Sequence, residues 1–157
     1  RTLLSQGNED LGREFVRRII QSNHDDREIL EHIKEMYKDL KREDEGERLL
    51  ETAVDEVVQM NNQGVRMVQE GNLETAIRYF EKTTETLPEN KIINANAAYA
   101  FMLYLKENGP EPDKIAKVRT YLSRVHRIDP DYTDLPKLVA IYRQIAQVKL
   151  PWMKNID

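Results

Sequence analysis

The side chains best suited to chemistry in this chain are three histidines, and their spacing gives them little to do together. His24 and His32 lie near Asp25, Asp26 and Glu28, residue types that could hold a divalent metal or pass a proton. A helix grips one metal with histidines at i and i+4, whereas His24 and His32 are two turns apart on neighbouring faces. His126 stands alone in the sequence. All three are expected as surface or capping residues, with no metal and no cofactor. No Gly-rich phosphate loop, nucleophile elbow or Asp-rich calcium loop occurs. The absence of cysteine removes the thiolate nucleophile, the Cys-ligated metal and the disulfide framework. The expectation is a protein that is not an enzyme.

A second constellation, Tyr121, Arg124, Arg127, Tyr132, Lys137, Tyr142 and Arg143, interleaves aromatic and basic residues as an RNA-binding face does. The net charge of −4 opposes that reading, so no nucleic acid is expected. The charge is uneven. Residues 25–56 carry 13 acidic and 6 basic side chains, residues 114–149 carry 3 and 8. This asymmetry fits solvated helix faces, and it also fits electrostatic steering of a partner or head-to-tail contact between copies.

The elements that must position these residues are helices. In 157 residues, 39% are apolar and 33% charged, with six Gly and six Pro, a balance suited to narrow helices that each bury one stripe. No apolar run approaches the roughly 20 residues that span a bilayer, and no charged-then-apolar leader precedes the first helix. A soluble, cytoplasmic, single helical domain without a membrane partner is expected. Because the chain opens at Arg1, it is read as cut from a longer protein.

A first helix is predicted from about Glu9 to Gln21, with Leu11, Phe15 and Ile19 on one face, and Ser22-Asn23 ends it. A second opens near Asp25 as N-cap and aligns Ile29, Ile33, Met36 and Leu40, widened by Leu30 and Tyr37. From Asp44 to Glu70 the pattern predicts one long helix, or two nearly collinear ones meeting near Asn61. Gly71-Asn72 is a stop followed by an N-cap, and Ala76, Ile77, Phe80 and Leu87 lead to Pro88. Ile93, Ala97, Ala100, Phe101, Tyr104 and Leu105 form the next helix, stopped by Asn108-Gly109-Pro110. Pro112-Asp113 opens its partner, with Ile115, Val118, Leu122 and Val125, and Asp129-Pro130 closes it. A last helix starts near Thr133 or Asp134 and buries Leu138, Val139, Tyr142, Ile145 and Ala146.

Between residues 57 and 90, Asn62, Gly64, Gly71, Ala76, Phe80 and Pro88 stand where a tetratricopeptide repeat of about 34 residues has its small, aromatic and proline positions. The segment resembles such a repeat, with Met60 and Met67 in place of the usual aromatic residues and Gln63 in place of a leucine. Gly64 and Ala76 must be small for the two helices of the pair to approach, Phe80 fills the seam against the next pair, and Pro88 breaks the second helix. A second copy over 91–130 aligns through Asn96, Ala98, Phe101, Val118, Leu122 and Pro130. It is eight residues longer, and the surplus is assigned to the turn 106–113, as an inserted loop or a lengthened first helix.

The resemblance implies an all-α, right-handed array of antiparallel helix pairs. Helices over 9–56 precede the array, a capping helix at 131–150 follows it, and 151–157 is a tail. With the acidic helices from Asp25, the stretch Asn61-Asn62-Gln63-Gly64-Val65-Arg66 also resembles the C-terminal tetratricopeptide region of certain bacterial two-component response regulators. That likeness implies an output or docking module in signal transduction. No receiver residues are present, so no phosphoryl chemistry is assigned.

In such an array Asn61, Val65 and Val68 of one pair and Ala95, Tyr99 and Met102 of the next face the concave side, where an extended peptide or a helix can dock. The same strip can instead be covered by the N-terminal helices or the last helix, as terminal helices of arrays act as caps. Asn62 and Asn96 are assigned structural roles at the repeat seam. The expected function is a protein-interaction scaffold whose partner is another protein or peptide. The alternative is a self-assembly module in which Leu11, Phe15, Ile19 and the Ile29 to Leu40 stripe form a homodimer.

Overall fold

A computed structural model describes residues 8–146 and 150–155, all in helices and short connections, with no strand among the described residues. The α-helices are α1 Glu9–Ser22, α2 Arg27–Asp39, α3 Glu43–Gln69, α4 Leu73–Thr86, α5 Lys91–Asn108, α6 Pro112–Ile128 and α7 Leu135–Ile145, followed by a 3-10 turn, Pro151–Asn155. Helix α3 is unbroken over 27 residues, so Asn61 and Asn62 interrupt nothing. No described helix is long and apolar enough to cross a membrane. By internal contacts the chain divides into two compact units, one up to Met60 and one from Asn61.

The first unit packs α1, α2 and the start of α3 around Val16, Ile20, Ile33, Tyr37, Leu49, Leu50 and Ala53. The α2 stripe is the predicted one, with Ile33 and Tyr37 buried and Ile29, Leu30, Met36 and Leu40 at the core edge. Its N-cap is Asp26 rather than Asp25; the Asp26 carboxylate accepts from the Ile29 N–H at 3.2 Å. Helix α1 is rotated from the expected face. Gly12, Val16, Ile20 and Gln21 are inward, while Leu11 and Phe15 are 63% and 61% exposed and Ile19 reaches the core edge. The rotation follows from polar ties to α3: Arg13 donates to Glu45 at 2.9 Å and Arg17 to Glu56 at 2.6 Å. Buried Gln21 donates to the Ala53 carbonyl and to Glu56. A helix turned to bury Leu11 and Phe15 would break all of these bonds.

Glycine on α3 sets the approach of α2. A Cβ on Gly46 would lie 2.5 Å from the Tyr37 Cβ, too close for any side chain. The same device recurs in the second unit, where a Cβ on Gly64 would overlap the tip of the Phe80 ring. Ala76, one turn before Phe80, is fully buried.

In the second unit α5 packs against α4, α6 and α7. A helix with three neighbours cannot be amphipathic, and α5 buries Ile93, Ala97, Ala98, Ala100, Phe101 and Leu105 around its circumference. Asn90 caps it, accepting from the Ile93 N–H at 3.0 Å, and buried Asn94 donates to the carbonyls of Pro88 and Asn90. Phe101 meets Tyr121 of α6 edge to face, with centroids 5.4 Å apart.

The surplus of eight residues is not an inserted loop. Helix α5 runs on to Asn108 and α6 starts at Pro112, so only 109–111 remain non-helical and the extra residues lengthen the helices. Nor do residues 151–155 form a free tail. The Trp152 ring stacks on His126 at 4.5 Å, Met153 is fully buried, and Arg143 donates to the Met153 carbonyl at 2.7 Å. Residues 147–149 of the expected 131–150 segment, and residues 156–157, lie outside the described residues.

Two helix ends share one motif but not one residue type. After α3, the Gly71 N–H bonds the Val68 carbonyl and the Asn72 N–H bonds the Met67 carbonyl, with Gly71 at φ 78°. After α2, the Lys41 N–H bonds the Lys38 carbonyl and the Arg42 N–H bonds the Tyr37 carbonyl, with Lys41 at φ 56°. A lysine in the left-handed region carries steric strain that glycine avoids. Lys41→Gly should therefore stabilise the protein by about 0.5–1 kcal/mol and Gly71→Ala destabilise it by a similar amount. Thermal melts that fail to rise for Lys41→Gly would show that the left-handed turn carries no strain.

Candidate protein-binding surface

The six residues expected to line a groove do not form one surface. Ala95 and Met102 are 3% and 0% exposed, on the sides of α5 that its neighbouring helices cover. Tyr99 is 40% exposed, and Asn61, Val65 and Val68 are half-buried on α3. The accessible set is therefore Tyr99 with Val65 and Val68, next to Asn61. The Asn61 side-chain oxygen is engaged, accepting from the Asn96 amide at 2.7 Å. Asn96 thus has the structural role expected of it. Asn62, assigned a structural role with Asn96, is exposed, and the side chain that Asn96 bonds is that of Asn61. Gln63, standing where the repeat pattern has leucine, accepts from the Tyr79 hydroxyl at 3.3 Å.

The interleaved aromatic and basic set is largely used inside the second unit. Tyr121 and Tyr142 are buried, Arg124 donates to Asn94 at 3.3 Å, and Arg127 makes a two-pronged contact with Glu89 at 3.0 Å. A stacking platform for bases needs exposed rings, and these two are not exposed. The histidines are separated as well. His32 bonds the Glu28 carbonyl through Nδ1 at 2.8 Å, His126 lies under Trp152, and His24 sits half-buried at the end of α1. Burial pushes His24 below the ordinary imidazole value, with Asp25 opposing it. Among the described residues no group of three or more His, Asp or Glu could hold a metal ion.

Two surface features of the first unit lie outside the predicted groove. Leu11 and Phe15 stand one turn apart on the outer face of α1. Their i, i+4 spacing was visible in the sequence, but not that it would face outward. A furrow of about 570 Å³ also runs between α2 and α3, with Leu30, Val54 and Val58 in its walls. Its sequence signal was weak, since the same residues read equally well as widened core stripes.

Charge in the first unit is concentrated at Glu45. Its carboxylate accepts from Arg13 at 2.9 Å and from Arg42 at 2.6 Å, and Arg42 also reaches Glu9 at 3.3 Å. The Arg13 hydrogen bond, joined by that of Arg42, holds the Glu45 carboxyl below the ordinary glutamate value against the opposing effect of burial. A carboxyl with a depressed folded pKa adds stability above its unfolded pKa and loses it as pH falls through the folded value. Glu45→Gln should thus lower stability by up to about 1 kcal/mol at neutral pH and low salt. The gap to the parent should close as the solution is acidified below the carboxylate range. Melts across that range check this; a gap that persists in acid would mean Glu45 acts through packing instead.

Compared with protein-family models, with curated proteins and with solved structures, the chain matches none.

Proposed function

We propose that this protein is a non-catalytic interaction scaffold whose second unit is a tetratricopeptide-like array, serving as the docking or output region of a larger signalling protein. One observation carries the reading: Gly64 on α3 makes room for the Phe80 ring of α4, at the two positions where the repeat pattern requires a small and an aromatic residue. The contact pattern of α5 supports it, since a central helix of stacked pairs touches its own partner, the preceding pair and the helix that follows. In this reading α3 from Asn61 and α4 form one antiparallel pair, α5 and α6 the next, and α7 the cap. Response regulators with such a region are the source suggested by the stretch from Asn61 to Arg66.

With Ala95 and Met102 in the core, the partner contact contracts to Tyr99, Val65 and Val68, where one aromatic anchor and two aliphatic side chains suit a short apolar segment of a protein. A photo-cross-linking amino acid at position 99, introduced in the native host, should capture a discrete partner, and the same group at exposed Glu107 should not. Tyr99→Ser with Val65→Ser should weaken that capture while leaving the melt nearly unchanged. Equal cross-linking from both positions, or capture unaffected by the double substitution, would move the contact elsewhere.

A second reading, self-assembly, is favoured by one observation: Leu11 and Phe15 are the most exposed large apolar side chains among the described residues. The dimer surface contracts to this pair, since most of the Ile29 to Leu40 stripe is packed at the core. Light scattering at high micromolar concentration should then find a dimer that Leu11→Ser with Phe15→Ser converts to monomer. A parent protein that is monomeric under those conditions removes this reading.

A further inference from the structure

The furrow between α2 and α3 has a floor and a rim of different chemistry. Leu50 belongs to the first unit's core, Leu30 and Val54 border that core, and Val58 is 37% exposed, so the floor is an outward extension of the apolar interior. No residue of α1 lines it. The rim is mainly acidic, with Asp25 and Glu31 on one side and Glu51 and Asp55 on the other. Its cations, Arg27 and Lys34, are both on α2, and Lys34 is held by Glu31 at 3.2 Å. The α3 wall carries no compensating charge: Glu51 and Asp55 are exposed, lie one turn apart, and have no ion-pair partner among the described residues. Like charges at that spacing repel, and a cation laid beside them relieves the repulsion.

The walls are helix sides, whose backbone donors and acceptors are already bonded within α2 and α3. An extended peptide would therefore find no ladder of partners for its amides, whereas a helix arrives with its own satisfied. An apolar ridge at i, i+4 spacing also fits between two packed helices. We propose that this furrow docks an amphipathic helix of a partner protein, one that sets Lys or Arg beside a short apolar stripe. The site lies wholly in the first unit and is independent of the Tyr99 surface.

The test uses the intact protein and a fluorescein-labelled peptide of about four helical turns, with Leu at i, i+4 and i+7 and Lys on the flanks. Two comparison peptides are its Glu-for-Lys counterpart and a scrambled sequence of the same composition. By fluorescence anisotropy the Lys/Leu helix should bind at least about ten-fold more tightly than either. Glu51→Lys with Asp55→Lys should weaken it about ten-fold with the melt intact, as should Val58→Asp, whereas Glu85→Lys with Glu107→Lys, the same charge change elsewhere, should alter it less than about two-fold. Equal binding of the scrambled peptide, or equal loss from both charge reversals, would reduce the effect to general attraction by an acidic protein and overturn the proposal. So would self-association seen by light scattering and abolished by Glu51→Lys with Asp55→Lys, which would give the furrow to a second copy of this chain.

Discussion

The constraint on which both units depend is the absence of a Cβ at two positions of α3. At Gly46 the Tyr37 ring of α2 lies against bare backbone, and at Gly64 the Phe80 ring of α4 does the same. Both rings are among the largest fully buried side chains, so each glycine admits a large apolar area to a seam that a methyl group would pry open. The Gly46 contact fixes how closely α2 and α3 approach, and with it the width of the furrow beside them. The Gly64 contact fixes the rotation of α3 in the second unit, which leaves Val65 and Val68 half-buried and available.

What could be read in the sequence was local. Capping residues, prolines and stripe spacing located the helices to within a few residues, and Gly64 could be read as a position that must be small, although the ring it admits, Phe80, was expected against the next pair. What could not be read depends on partners distant in the chain. Helix α1 has two adjacent apolar stripes, Leu11–Phe15–Ile19 and Val16–Ile20, and hydrophobicity alone does not choose between them. The choice falls to Arg13, Arg17 and Gln21, whose acceptors Glu45, Ala53 and Glu56 are on α3. Likewise the residues of α5 do not say whether the strip with Ala95 and Met102 is open or covered; the structure buries both, in a helix that packs against α4, α6 and α7. For the segment 106–113 the sequence left an inserted loop and a lengthened first helix open, because Gly109 and Pro110 mark a turn but not its length: Pro112 is tolerated at the first position of α6, where its missing N–H has no helical partner to lose.

The charge asymmetry along the sequence acquires a different meaning once pairs are assigned. The basic segment from residue 114 is largely spent within its own unit: Lys117 holds Glu81 at 2.8 Å, Arg127 holds Glu89 and Arg124 holds Asn94. Such pairs orient helices more than they stabilise them, and they leave little free cation to steer a ligand. The acidic segment is spent only in part. Glu45 and Glu56 are bonded to arginines of α1, whereas Glu51 and Asp55, between them in sequence, face the furrow. The polarity that survives folding is thus negative and local.

The alignment of α3 and α5 in the second unit is marked by an amide pair as well as by apolar contact. Alanine-lined seams such as those of α5 tolerate sliding, since neighbouring methyl groups look alike to a helix displaced by one turn. A donor and an acceptor at one point do not. The Asn96 amide reaches the Asn61 oxygen only in the observed alignment of α3 and α5, and a one-turn shift would leave both side chains without that partner. Asn90 and Asn94 do the same for the entry to α5, tying its first turn to the carbonyl of Pro88. Val65 lies one turn after Asn61 and Tyr99 one turn after Asn96, so the bond that fixes the helices also fixes the side chains beside it. A contact surface this small can be selective only if its few side chains are held in a constant arrangement, and here an amide pair supplies that constancy.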